Sequence, residues 1–221
     1  MKVDTVLSTC VRIVEDYFLR IGDELETVRA LLVGPFEGGP VDSRLASRSI
    51  EPQVRAFLDR SPVIGAGYVA APGALSDHEL YLAWWQGDDK HLLATSDAPA
   101  TGDPLDYTRH AWFRTPARTG LPHVTGPYVD FVCTDEYVMT STTPVLAHGR
   151  MVGVVGADTL LESLETLLLP TLRDARATLV NGASRVVVSS DPHHGTGALL
   201  DLSTCREVQP CRGLPLSVAL H

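Results

Sequence analysis

Residues 136–158 read Glu-Tyr-Val-Met-Thr-Ser-Thr-Thr-Pro-Val-Leu-Ala-His-Gly-Arg-Met-Val-Gly-Val-Val-Gly-Ala-Asp. Two runs rich in apolar and β-branched residues, 136–147 and 150–158, flank His148-Gly149, a tight hairpin signal. A third run, about 127–133, precedes them through the turn Thr134-Asp135. Strands joined by turns this short pair antiparallel, because a parallel pair needs a crossover of a dozen or more residues. Beyond the last strand, residues from about 160 to 175 have the pattern of a helix. Asp158 or Thr159 stands where it could cap that helix, with Glu162 and Glu165 near its positive end. Gly153 and Gly156 lie in a strand and not in a strand-to-helix phosphate turn, so they are expected to let something pack closely.

The strongest helical pattern is at the N-terminus. Leu7, Val11, Val14, Phe18, Ile21, Leu25, Val28 and Leu32 follow alternating steps of four and three, which places them on one stripe. The predicted helix covers about 3–33, roughly 45 Å at 1.5 Å per residue, and stops at Gly34-Pro35. Such heptads suit a coiled-coil dimer seam. They equally suit a helix lying along the back of a sheet, the more so as Val3, Val6, Cys10, Tyr17 and Leu31 widen the apolar face. A second helix is expected at about 49–60, then strands at 63–70, 80–86 and 91–95, a polar excursion from 96 to 107, and a short helix around 110–117. After the helix at 160–175, residues 177–189 read as a hairpin through Asn181-Gly182, and 214–220 as a last strand within a loop-rich tail. The implied class is α+β: an antiparallel sheet with a long N-terminal helix and a small C-terminal β-rich lobe.

Composition narrows the function. Of 221 residues, 44% are hydrophobic and 20% charged, which is globular and not disordered. Eighteen Lys and Arg against 27 Asp and Glu give a net charge of −9 and no basic run, so nucleic acid is excluded as an expected partner. Four cysteines are too few and scattered for a disulfide scaffold; Cys205 and Cys211 could pair across a short loop, but all four read as reduced. No stretch is apolar enough to span a bilayer, and acidic residues from Asp4 to Glu26 stand where a signal peptide would be apolar. As written the chain reads as cytoplasmic, or extracytoplasmic if it is a sensor portion of a receptor.

Catalytic templates are missing: there is no G-x-S-x-G, H-E-x-x-H, P-loop or G-x-G-x-x-G. His193-His194 with Cys205 and Cys211 do not have zinc spacing, and neither metal nor cofactor is expected. The informative residues are Trp112, Phe113, Tyr128, Asp130 and Asp158. Period two puts Tyr128 and Asp130 on one strand face, and aromatic walls with carboxylates suit an ammonium ligand. The ordinary alternative makes Trp112 and Tyr128 core residues and Asp158 a helix cap.

Four segments together resemble the Cache sensor domain, the PAS-like ligand-binding module of chemotaxis receptors and sensor kinases. They are Asp106-Tyr-Thr-Arg-His-Ala-Trp112-Phe113, Gly126-Pro-Tyr128-Val-Asp130, Met139-Thr-Ser-Thr-Thr-Pro144-Val and Gly149-Arg-Met-Val-Gly-Val-Val-Gly-Ala-Asp158. The resemblance implies a PAS-like sheet of five or six strands backed by the long helix (1–40 with its linker), a Cache-type ligand-binding domain over 41–175, and an abbreviated second lobe over 176–221. In the amino-acid-binding branch, an Arg two residues before the Trp holds the ligand carboxylate, while a Tyr and two Asp surround the amino group. Trp112, Tyr128, Asp130 and Asp158 match, and Phe113 replaces the usual Tyr. His110 occupies the Arg position, with Arg109 one residue earlier, a turn of about 100° on a helix. A related branch that recognises amines lacks the Arg. The expectation is therefore a non-catalytic sensor of a small amine or amino acid, signalling through an unidentified protein partner, with a possible homodimer through the N-terminal helix. The alternatives are a small hydrolase-type enzyme using His110 or His123 with Asp130, and a purely structural dimer.

Overall fold

The computed structural model describes residues 3–96, 106–129 and 136–221. Helix α1 (Val3–Gly38) is followed by α2 (Ser43–Arg60), β1 (Gly65–Ala70), β2 (Tyr81–Gln86) and β3 (His91–Ser96). A short 3-10 turn, Tyr107–Arg109, leads into α3 (Ala111–Thr119). Then come β4 (His123–Val129), β5 (Tyr137–Ala147), β6 (Arg150–Leu160), α4 (Leu161–Ala175) and four strands, β7 (Ala177–Asn181), β8 (Val186–Ser189), β9 (Glu207–Pro210) and β10 (Leu216–Leu220). The larger sheet has the order β3-β2-β1-β6-β5-β4 and the smaller β8-β7-β10-β9. This is the expected α+β architecture, with the smaller sheet formed by the strands that follow α4.

Five expectations need correction. Helix α1 does not stop at Gly34-Pro35 but continues to Gly38. Proline forfeits one amide hydrogen bond, yet Phe36 in that last turn is buried against Tyr68, ring centroids 6.2 Å apart, and holds it helical. Helix α2 starts at Ser43, not 49, because the Asp42 carboxylate caps it by accepting from the Leu45 amide at 2.7 Å. Helix α4 is capped by neither Asp158 nor Thr159: its N-cap is Leu160 and has no side-chain cap bond, and Asp158 still belongs to β6. Strand β9 was not expected at all, and β4 begins at His123 where 127 was expected. Residues 130–133 of that expected strand, the turn Thr134-Asp135 and most of the excursion after residue 96 lie outside the described residues.

Packing divides the chain into two units. The first comprises Met1–Arg20, Val124–Met139 and Thr159–His221, the second Ile21–His123 and Thr140–Asp158. In the first, α4 packs on β7 and β8, and its Leu164, Leu168 and Leu172 are buried with Leu7, Val11, Val14 and Phe18 of α1. In the second, α2 packs on β1 and β2, and Ile21, Leu25, Val28 and Leu32 are buried with Ile50, Val54 and Phe57. All eight stripe residues are thus buried within the chain itself. The stripe expected as a possible dimer seam is instead core, since apolar area already removed from water has nothing further to gain from a second copy.

Candidate ligand-binding site

The site grows from the pairing of three strands in the second unit. On β1, cross-strand partners of Gly65, Gly67 and Val69 are Gln86, Trp84 and Leu82 on β2, and Asp158, Gly156 and Val154 on β6. Directly opposed residues share a face, so Trp84, Gln86 and Asp158 project to one side of the sheet. The other side carries Tyr68, in contact with Phe36 of α1, and Tyr81, whose hydroxyl lies 2.9 Å from the Ser47 hydroxyl of α2. The helices α1 and α2 therefore cover one face, and Asp158 stands on the opposite one.

Glycine shapes this second face. A methyl group at Gly65 would overlap the indole nitrogen of Trp84, and one at Gly156 would meet Trp84 Cη2 at 3.4 Å and Thr142 Cγ2 at 3.3 Å. The Trp84 indole thus reaches from β2 across β1 toward β6 through a notch free of side chains. The close packing expected at Gly156 is this contact. Next to it, Asp158 is only 5% exposed, and the Thr140 hydroxyl donates to its Oδ1 at 2.5 Å. A carboxylate this dry is costly unless its environment supplies hydrogen bonds or positive charge.

Helix α3 adds an aromatic wall. Thr142 donates its hydroxyl to the Trp112 carbonyl at 2.9 Å, which ties the start of α3 to β5. Trp112 stacks on His110 (centroids 5.9 Å) and Tyr107 (6.2 Å), and Tyr107 also meets buried Phe113 at 5.3 Å. The Tyr107 hydroxyl donates to the Ala70 carbonyl at 2.7 Å and accepts from the Tyr81 amide at 3.1 Å, fixing the turn to the ends of β1 and β2.

The sequence candidates separate accordingly. Trp112, Phe113 and Asp158 fall in one unit, linked through Thr142 and Gly156. Arg109 is 87% exposed and pairs with Asp106 at 2.8 Å, so it lies at the surface. His110 is exposed apart from its stacking on Trp112. The Asp106 carboxyl is held below its usual range, first by the Thr108 hydroxyl and further by Arg109. Tyr128 is half-buried in β4 and belongs to the other unit, and Asp130 lies outside the described residues. His123 is half-buried, and burial pushes its imidazole below the ordinary range. Sequence reasoning missed Trp84, Thr140, Thr142 and Tyr107. The available signal for Trp84 was Trp84-Trp85 in a period-two strand, with Gly65 and Gly67 at matching spacing one strand away. Among the described residues no group of three or more His, Cys, Asp or Glu side chains is arranged to hold a metal ion. Cys10, Cys205 and Cys211 are free thiols, and Cys133 lies outside the described residues.

Asp158 is thus a buried carboxylate on the same sheet face as the Trp84 indole, a combination suited to a cationic ligand. Residues 50–166 match the family model of the methyl-accepting chemotaxis protein-like, first PDC sensor domain, over just more than half the chain. The chain belongs to this family, and it is a non-catalytic sensory module; the hydrolase alternative falls with that membership. It is 30% identical over 159 residues to the methyl-accepting chemotaxis protein PctB of Pseudomonas aeruginosa, covering 71% of this chain and 23% of that protein. It is 28% identical over 138 residues to the methyl-accepting chemotaxis protein TlpQ of the same organism, covering 52% of this chain and 19% of that protein. The chain thus spans about a fifth of the length of these curated relatives. The sensory domain of the Campylobacter jejuni chemoreceptor Tlp3, solved with isoleucine bound, has the same fold: TM-score 0.71 at 12% identity, covering 98% of this chain and 89% of that one. So has the ligand-binding domain of the Pseudomonas aeruginosa chemoreceptor PctC with GABA, TM-score 0.66 at 17% identity, covering 98% and 95%.

Proposed function

We propose that this chain senses a small organic amine or amino acid, whose cationic nitrogen rests on Asp158 between the indoles of Trp84 and Trp112. The observation that carries this reading is the burial of Asp158 on the sheet face away from α1 and α2, beside Trp84. A desolvated carboxylate next to aromatic faces offers a cation both a charge-assisted hydrogen bond and quadrupole attraction. The ligands named in the structures of Tlp3 and PctC, isoleucine and GABA, each carry an ammonium group. Arg109, the nearest candidate for a ligand carboxylate, is engaged at the surface with Asp106. That favours amines over amino acids here.

The chain is proposed to act in an extracytoplasmic setting and to pass occupancy to a signalling protein, in keeping with the chemotaxis proteins it resembles. Among the described residues no helix is long and apolar enough to cross a membrane. The ligand-binding segment is proposed to be 41–175, with 176–221 as an abbreviated second lobe.

Calorimetry with valine and its decarboxylated counterpart isobutylamine tests the reading. The amine should bind the wild-type chain more tightly, and Asp158→Asn should weaken it at least tenfold, since breaking a desolvated charge pair typically costs about 2–5 kcal/mol. Arg109→Ala should leave both affinities unchanged. Unaltered amine binding by Asp158→Asn would place the pocket elsewhere.

A further inference from the structure

The proposed ammonium site leaves a buried donor of the same face unexplained. Trp84 is 5% exposed, and its indole nitrogen is fully buried with no hydrogen-bond partner among the described residues. A buried donor left unpaired is costly, and native folds rarely keep one without a partner to complete it. Trp85, the next residue, also has an unpartnered indole nitrogen, but it projects to the opposite face, with Ala66 as its cross-strand partner on β1. Of these two indoles, that of Trp84 shares a face with Asp158. Its nitrogen stands where a side chain at Gly65 would begin, and Gly65 is the cross-strand partner of Asp158. Directly opposed Cβ positions are about 5 Å apart. The donor and the carboxylate are therefore within reach of a single small molecule.

We infer that Trp84 is a specificity-determining residue: its indole N–H donates to an acceptor atom on the ligand whose cationic nitrogen lies on Asp158. The inference rests on the proposed amine site and narrows its ligand class. The ligand is an amine bearing a carbonyl, hydroxyl or ring-nitrogen acceptor a few bonds from its ammonium, not an amine with a purely hydrocarbon body. A hydrocarbon group set against the indole N–H would keep that donor dry and unpaired, and sites built to hydrogen-bond reject such analogues strongly. The glycines at 65 and 156 serve this arrangement, because any side chain at 65 would displace the donor.

Two matched pairs test it on the full chain by calorimetry: glycinamide with isobutylamine, and β-alaninamide with isopentylamine. In each pair the amide replaces a branched hydrocarbon end of similar size. For at least one pair the amide should bind wild type tenfold or more tightly than its isostere. Trp84→Phe, which keeps an aromatic face but has no N–H donor, should abolish that preference, bringing the amide down to its isostere whatever the isostere's own affinity for the variant. In parallel, the amide should shift the Trp84 indole N–H resonance and leave that of Trp85 in place, a reading that needs no variant to fold. Equal affinities within both pairs, a preference that survives Trp84→Phe, or an unmoved Trp84 resonance would each overturn the inference. If isobutylamine and isopentylamine still bind in an Asp158-dependent manner, the amine site stands and only the role of Trp84 falls. If no amine binds, both fall together.

Discussion

A single methyl group at position 65 would collide with the Trp84 indole nitrogen, and the far edge of that indole lies against Gly156. Gly65→Ala should therefore lower stability by about 1–3 kcal/mol, the usual range for overpacking, as read from the urea midpoint. Gly182→Ala, whose added carbon meets only Pro215 at 3.6 Å or more, should stay within about 0.5 kcal/mol. At this scale the sequence was partly legible. Trp112, Phe113 and Asp158 were accessible because each sits in a recognisable run of neighbours. Trp84 was not, because its significance comes from glycines on two other strands, and pairing between strands is not written in local order. Asp158 was also readable as a helix cap; the two further residues of β6, which move the N-cap to Leu160, decide against it.

The long helix is the clearest case of an element readable from its own pattern. Leu25, buried against the second unit's core, should cost about 2–5 kcal/mol on truncation to Ala. Leu19, 63% exposed, should cost less than about 0.5 kcal/mol; equal losses in urea titrations would mean the stripe is misassigned. The end of α1 was misread because turn chemistry at Gly34-Pro35 was outweighed by the burial of Phe36, a contact with β1 that has no local signature. Strand β9 escaped for the same reason, since it is defined by pairing with β10 and carries an exposed, polar pattern. In this small lobe, the His221 ring lies 2.6 Å from the Thr178 hydroxyl and 5.0 Å, centroid to centroid, from His194. Burial, and next His194, lowers the affinity of His221 for a proton, with Asp191 opposing. A folded pKa below the unfolded one means that stability is present above about pH 6.5 and is lost as pH falls through the folded value. The melting temperature should drop between about pH 7 and about pH 5, and His221→Gln should flatten that slope.

For the whole molecule, the order of elements was legible from hairpin turns and periodicity, and it led to an α+β sensor architecture. The division of packing was not: β5 contributes Tyr137–Met139 to one unit and Thr140–Ala147 to the other, and no composition shift marks that boundary. With all eight apolar stripe residues of α1 used inside the chain, sedimentation at tens of micromolar should return a monomer. A dimer would have to be held by surfaces other than the stripe.

The protein's three tryptophans, Trp84, Trp85 and Trp112, all belong to one of its two units, and the other has none. Nature has in effect dyed half of the molecule. Tryptophan emission during heating reports the loss of that half alone, whereas far-ultraviolet dichroism sums the helices and strands of both. Because α1 and β5 each lend residues to both halves, the optical curves should superimpose as one cooperative transition. If emission changes first, the half that holds Asp158 opens on its own, and the same emission then becomes a direct gauge of occupancy as ligand closes it again.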